Sequence, residues 1–114
     1  MEQGSSQDVA RYAAMFAAIG AEPRLRIARA LLAAHPHGMV AGEIQAGLGL
    51  TASNLSHHLE KLRYEGLINV RREGSFLRYT ANTVAIEDLL GFLYAECCSR
   101  SKAIPPERIM QMGR

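Results

Sequence analysis

Two groups of side chains in this 114-residue sequence are equipped for chemistry, and they suit different partners. Cys97 and Cys98 are adjacent and are the only cysteines, so the chain carries one pair of soft sulfur donors and no disulfide framework. The second group, Ser53, Asn54, Ser56, His57, His58 and Lys61, consists of short hydrogen-bonding groups and one cation. It lies in a segment where Leu55, Leu59 and Leu62 recur at spacings of four and three. That period predicts a helix over Ala52–Tyr64 with the leucines inward. At roughly 100° per residue, Ser53, His57 and Lys61 then lie on the opposite side, with Asn54 and His58 on one flank. A helix that reads base edges needs this division between anchored and presented faces. A merely solvated polar face has the same pattern.

The remaining histidines offer less. His57 and His58 are neighbours on a helix, point roughly 100° apart and cannot converge on one ion. His35 and His37 flank Pro36, where two ring nitrogens could meet a metal, but no carboxylate or thiol nearby completes a ligand set. No Ser-His-Asp or Cys-His set, no paired acids in a Gly-framed cleft and no phosphate-cradling loop occurs, which argues against an enzyme.

The elements that must position these groups follow from apolar period and punctuation. One core is all a chain of this length holds, and with 48% hydrophobic residues, 6% aromatic and no Trp, packed helices suit it better than a large sheet. A first helix is expected over Ala10–Ile19, stopped by Gly20. A second opens at Glu22-Pro23 and ends at His35-Pro36-His37-Gly38. A third fits Ala41–Leu48, and after the turn at Gly49-Leu50 the hydroxyl of Thr51 is placed to cap the fourth. Two helices joined by a short Gly-containing turn make a helix-turn-helix.

Beyond Gly66 the period becomes two, with Ile68 and Val70, then Leu77 and Tyr79, about a turn at Glu73-Gly74: a β-hairpin. Thr83 is expected to cap a last helix bearing Ile86, Leu89, Leu90 and Leu93 on one face and ending near Cys98 to Lys102. The expected fold is mainly α, a winged helix-turn-helix with a two-stranded β wing and a helical dimer interface. Its domain covers residues 1–103, followed by a flexible tail, 104–114, that carries Pro105-Pro106.

Charge is informative by position. The net charge is only +2, but residues 51–80 hold five Lys or Arg against three Glu, and the rest of the chain has eight of each. Arg71, Arg72 and Arg78 on the hairpin can lie along phosphates, where neutralisation supplies sequence-independent affinity. The abundance of Ala and Leu favours a second copy covering apolar helix surface. Met1–Gln7 is polar, and no run approaches the roughly 18 apolar residues of a membrane span, so a cytoplasmic protein with reduced thiols and no membrane partner is expected.

Three stretches together resemble the ArsR family of metal- and metalloid-responsive repressors: Ala21-Glu22-Pro23-Arg24-Leu25-Arg26-Ile27, Leu50 through Leu59 with Ser56-His57-His58-Leu59, and Arg71-Arg72-Glu73-Gly74 with Tyr79. The resemblance runs from about Tyr12 to Cys98. It implies a winged-helix homodimer joined through its first and last helices and bound to an inverted-repeat operator until an inducer arrives. Two familiar inducer sites are missing, since the third helix has no Cys-x-Cys pair and the last offers Glu87 and Asp88 but no histidine. Variants of the family place a vicinal Cys pair where Cys97 and Cys98 stand. Two thiols match a methyl- or phenyl-substituted trivalent arsenic, which has one valence taken by carbon; arsenite with an added oxygen donor, or antimonite, is close behind. No constitutive cofactor is expected. Three alternatives stay open: the cysteines only pack the dimer helix, they form a thiol redox switch, or the domain is a protein-interaction module without an inducer site.

Overall fold

The computed structural model describes residues 6–95 and 104–111. In chain order the elements are α1 (Ser6–Ile19), α2 (Glu22–Ala33), β1 (Met39–Val40), α3 (Ala41–Leu48), α4 (Ala52–Tyr64), β2 (Ile68–Glu73), β3 (Phe76–Ala81), α5 (Thr83–Tyr94) and α6 (Pro106–Gln111). Cys97 and Cys98 lie outside the described residues. The architecture is the mainly helical winged helix-turn-helix that the apolar periods predict.

Each boundary has a local cause. Pro23 sits in the first turn of α2, where its missing N–H costs nothing. At α3 the Glu43 carboxylate accepts from the Val40 N–H at 2.9 Å, half of a capping box, since Val40 has no side-chain acceptor to complete it. Gly49 then ends α3 in the left-handed region, and Thr51 Oγ1 accepts from the Asn54 N–H at 3.2 Å to start α4. Three residues thus separate the two helices of the helix-turn-helix.

The leucines of α4 anchor it. Leu55, Leu59 and Leu62 are buried with Met15 and Ala18 of α1, Ile27 and Leu31 of α2, Ile44 of α3, Leu67 and Ile68 at the start of the hairpin, and Leu89 of α5. Each buried Leu, Ile or Met among them contributes about 1.5–3 kcal/mol on leaving water, so α4 is fixed along its inner face by α1, α2, α3 and the hairpin. Tyr12 of α1 also stacks on Phe92 of α5, with ring centroids 4.5 Å apart.

The sheet has three strands in the order β1-β3-β2, both pairings antiparallel. The third strand, β1, is two residues long and pairs Met39 with Tyr79 and Val40 with Arg78. Gly38 makes this pairing possible: its φ is +80°, and a Cβ there would lie 2.3 Å from the Tyr79 carbonyl oxygen. The start of α5 also differs from expectation. Its cap is Asn82, whose Oδ1 accepts from the Ala85 N–H at 3.2 Å, with Thr83 already inside the helix. Asn82 also donates through Nδ2 to the Gly66 carbonyl at 2.8 Å and through its backbone N–H to the Leu67 carbonyl at 2.9 Å. One side chain thereby ties the exit of α4 to the entry of α5. Within the segment beyond residue 103, Pro106–Gln111 forms a short helix.

Candidate nucleic-acid interface

On α4 the groups picked out from the sequence fall into two sets. Ser53, Asn54, Ser56, His57 and Lys61 are exposed along the outer side, while the three leucines beneath them are at most 4% exposed. No side-chain hydrogen bond or ion pair to a described residue occupies their polar heads, so they remain available to a partner. An open groove of about 540 Å³, lined by Ala14, Ala17, Arg24, His57, Lys61 and Tyr64, separates this outer side from α1.

His58 is placed differently. It is half-buried, and its Nδ1 lies 3.3 Å from Nη1 of Arg24, which donates, so the ring is held as an acceptor towards α2. Burial, then the Arg24 and His57 charges, push its pKa below the usual 6.5 and keep the imidazole neutral at neutral pH. Arg24 also donates through Nε to the Ala18 carbonyl at 2.5 Å. It therefore links the end of α1 and the start of α2 to α4. The His57 and His58 rings are 58° apart in orientation with centroids separated by 5.6 Å.

The wing holds its cations in two ways. Glu73 accepts from Nη2 of Arg71 at 2.8 Å on one oxygen and from Nε of Arg78 at 2.8 Å on the other. The register explains this: Arg71 and Arg78 are directly opposite, and Glu73 is two residues along on the same face. Those two hydrogen bonds hold the Glu73 carboxyl below the usual carboxylate range. Arg78, expected from the sequence to lie along phosphates, has a side chain only 14% exposed, and its Nη1 is 3.4 Å from the Gly38 carbonyl, so it braces the wing against β1. Arg72 is exposed, on the opposite face, and has no ion pair among the described residues.

Among the described residues, no three of His, Cys, Asp or Glu come together as a metal site, and His35 and His37 stay exposed in their loop. No described helix is long and apolar enough to cross a membrane.

An inward-anchored helix with a free polar face, preceded by a capped three-residue turn and flanked by a basic hairpin, agrees with what comparison with known proteins finds. Residues 20–71 match the family model described as a helix-turn-helix domain. The transcriptional activator HlyU of Vibrio cholerae is 30% identical over 102 residues, covering 90% of this chain and 88% of that protein. The HTH-type transcriptional regulator YgaV of Escherichia coli is 30% identical over 97 residues, covering 85% and 97%. This chain belongs to the ArsR family of winged-helix transcriptional regulators. The solved structure of Vibrio cholerae HlyU superposes with a TM-score of 0.64 at 34% identity, over 80% of this chain and 99% of that one. The homodimeric winged helix-turn-helix domain Mb0332 of Mycobacterium bovis shares the fold, with a TM-score of 0.64 at 20% identity over 92% and 97%.

As an ArsR-family member the chain is a DNA-binding transcription regulator, a class distinct from enzymes. Three features of its interface are not legible in the residue pattern: Arg24 reaching α4, Asn82 closing the gap between α4 and α5, and the two-residue β1. Only Gly38 hinted at the last, as a glycine beyond the second helix.

Proposed function

We propose that the chain is a homodimeric transcriptional repressor that binds an inverted-repeat operator and is released when a trivalent arsenical bridges Cys97 and Cys98. The single observation carrying the DNA half is the α4 face, where Ser53, Asn54, Ser56, His57 and Lys61 are exposed and, among the described residues, unengaged over three buried leucines. Ser53 and His57 read base edges, while Lys61 and Arg72 neutralise phosphate.

The dimer half is supported by apolar surface that the single chain leaves uncovered. On α5, Leu89 is buried but Leu90 and Leu93 are 59% and 60% exposed; on α1, Val9 is 53% exposed. Two-fold pairing through these helices would cover that surface and set two reading helices about one DNA turn apart, roughly 34–36 Å. The inducer half rests on the vicinal thiols. Trivalent arsenic bonded to one carbon carries two hydroxyls, each leaving as water with a thiol proton when a sulfur takes its place, and a ligand held in the sequence just beyond α5 would alter subunit spacing and so the fit to both half-sites.

The test is a gel shift and run-off transcription on the chain's own upstream DNA, with phenylarsenite, methylarsenite, arsenite, antimonite, zinc and cadmium as effectors. Repression by the free protein and release by the substituted arsenicals are expected, with Cys97→Ser and Cys98→Ser each binding DNA normally but no longer responding. Transcription that rises with protein would instead give it the sign in HlyU's name, and single Ser variants that still respond would return the cysteines to a packing role.

A further inference from the structure

The tip of the wing carries apolar surface that neither the core nor the proposed dimer face uses. Phe76 is 63% exposed and Leu77 41%, whereas burial deepens along β3 until Ala81 is 5% exposed. Gly74 and Ser75, in the turn, are exposed as well, so the apolar pair sits at a solvent-facing tip. The two apolar residues are consecutive and point to opposite faces of the ribbon, Phe76 across from Glu73 and Leu77 across from Arg72. A flat protein partner would cover one face of such a ribbon and leave the other in water. A cleft that takes the tip end-on covers both.

We propose that Phe76 and Leu77 form an apolar wedge that enters a DNA minor groove beside the major-groove site of α4 and partly unstacks a base step there. The proposal rests on α4 reading the adjacent major groove. Charge on the wing favours nucleic acid as the occupant. Arg72, cross-strand from Leu77, has no ion pair among the described residues and is free to meet phosphate on the groove wall, while Glu73 is already engaged by Arg71 and Arg78. Side chains of this kind enter minor grooves as wedges and kink the duplex, at the cost of unstacking a base step. That cost is least at flexible pyrimidine–purine steps, so the wedge selects sites with TA or CA/TG beneath the wing.

The experiment uses the full chain and duplexes that it selects from a random library about three turns long, judged by affinity, permanganate reactivity of thymines and end-to-end fluorescence transfer. For the selected duplex, Phe76→Ala should lose about tenfold in affinity, together with the reactive thymine and the bend, at unchanged salt slope and melting temperature; Phe76→Trp should keep all three. Replacing the pyrimidine–purine step should weaken the wild type and leave Phe76→Ala indifferent. An alanine variant with undiminished affinity and bending overturns the wedge alone. So does one that keeps its DNA behaviour but sediments differently, because the tip then meets protein. A wild type that selects no duplex overturns the DNA reading of α4, and the wedge with it.

Discussion

Helix α4 and the wing both lie in the basic quarter of the sequence, yet they hold their outward-facing groups in different ways. On α4 the leucines fix the backbone, and although Arg63 pairs with Glu60 and His58 meets Arg24, Ser53, His57 and Lys61 have no side-chain hydrogen bond or ion pair among the described residues and are presented by a rigid support. On the wing there is little core to supply rigidity. The ribbon is stiffened by its own ions, and two of its three arginines are spent on Glu73. The difference teaches that a count of basic residues measures the field a surface can generate, while pairing decides which cations are free to reach phosphate.

The largest effect should come from separating free from engaged cations. Lys61→Ala and Arg72→Ala are each expected to lower affinity for all duplexes and flatten the dependence of log K on log salt by about 0.9, one phosphate contact apiece. Arg78→Ala should leave that slope unchanged and instead speed amide exchange around Gly38 and Tyr79, where its guanidinium now sits. Equal slopes for all three variants would erase the distinction between helix and wing.

A smaller effect, of opposite sign, is expected at Glu73. Glu73→Gln removes the negative charge that Arg71 and Arg78 share, so binding should strengthen and the salt slope should steepen by up to about one contact. Lowering the pH should mimic this only well into acid. The native Glu73 carboxyl is held below its usual range, so its ion pairs persist above the unfolded pKa and are lost as pH falls through the lowered native one. Fluorescence anisotropy on one duplex across a salt series reads both changes; a Glu73→Gln variant that binds more weakly would mean that the pairing serves DNA binding through wing shape.

The smallest effect belongs to His58, the flank of α4 that is turned inward. Its pKa is lowered in the fold, so the unfolded chain takes up a proton first as pH drops, and stability should fall slightly from neutral pH into mild acid. His58→Asn keeps an acceptor for Arg24 but does not titrate, and should remove that slope in urea melts while binding DNA at pH 7.5 like the wild type. Loss of base discrimination in this variant would place His58 with the reading residues after all.

The sequence by itself determined the elements whose signals are local. Leucine spacing placed α4 residue for residue, Thr51 announced its start, and the switch to period two located the hairpin, because periodicity and capping depend on neighbours only a few positions away. It could also assign Ser53, His57 and Lys61 to an outer face, since a helix with one buried stripe has only one side left. Only the tertiary structure decided what each charged or polar group does on that frame. Arg24 meets His58 across 34 positions, Arg78 reaches Gly38 across 40, and Asn82 bonds to Gly66 across 16. Such pairings are fixed by how helices and strands stack, and no period along the chain encodes them. The same holds for β1, too short for any pattern of its own, which exists because Gly38 lets the backbone approach Tyr79.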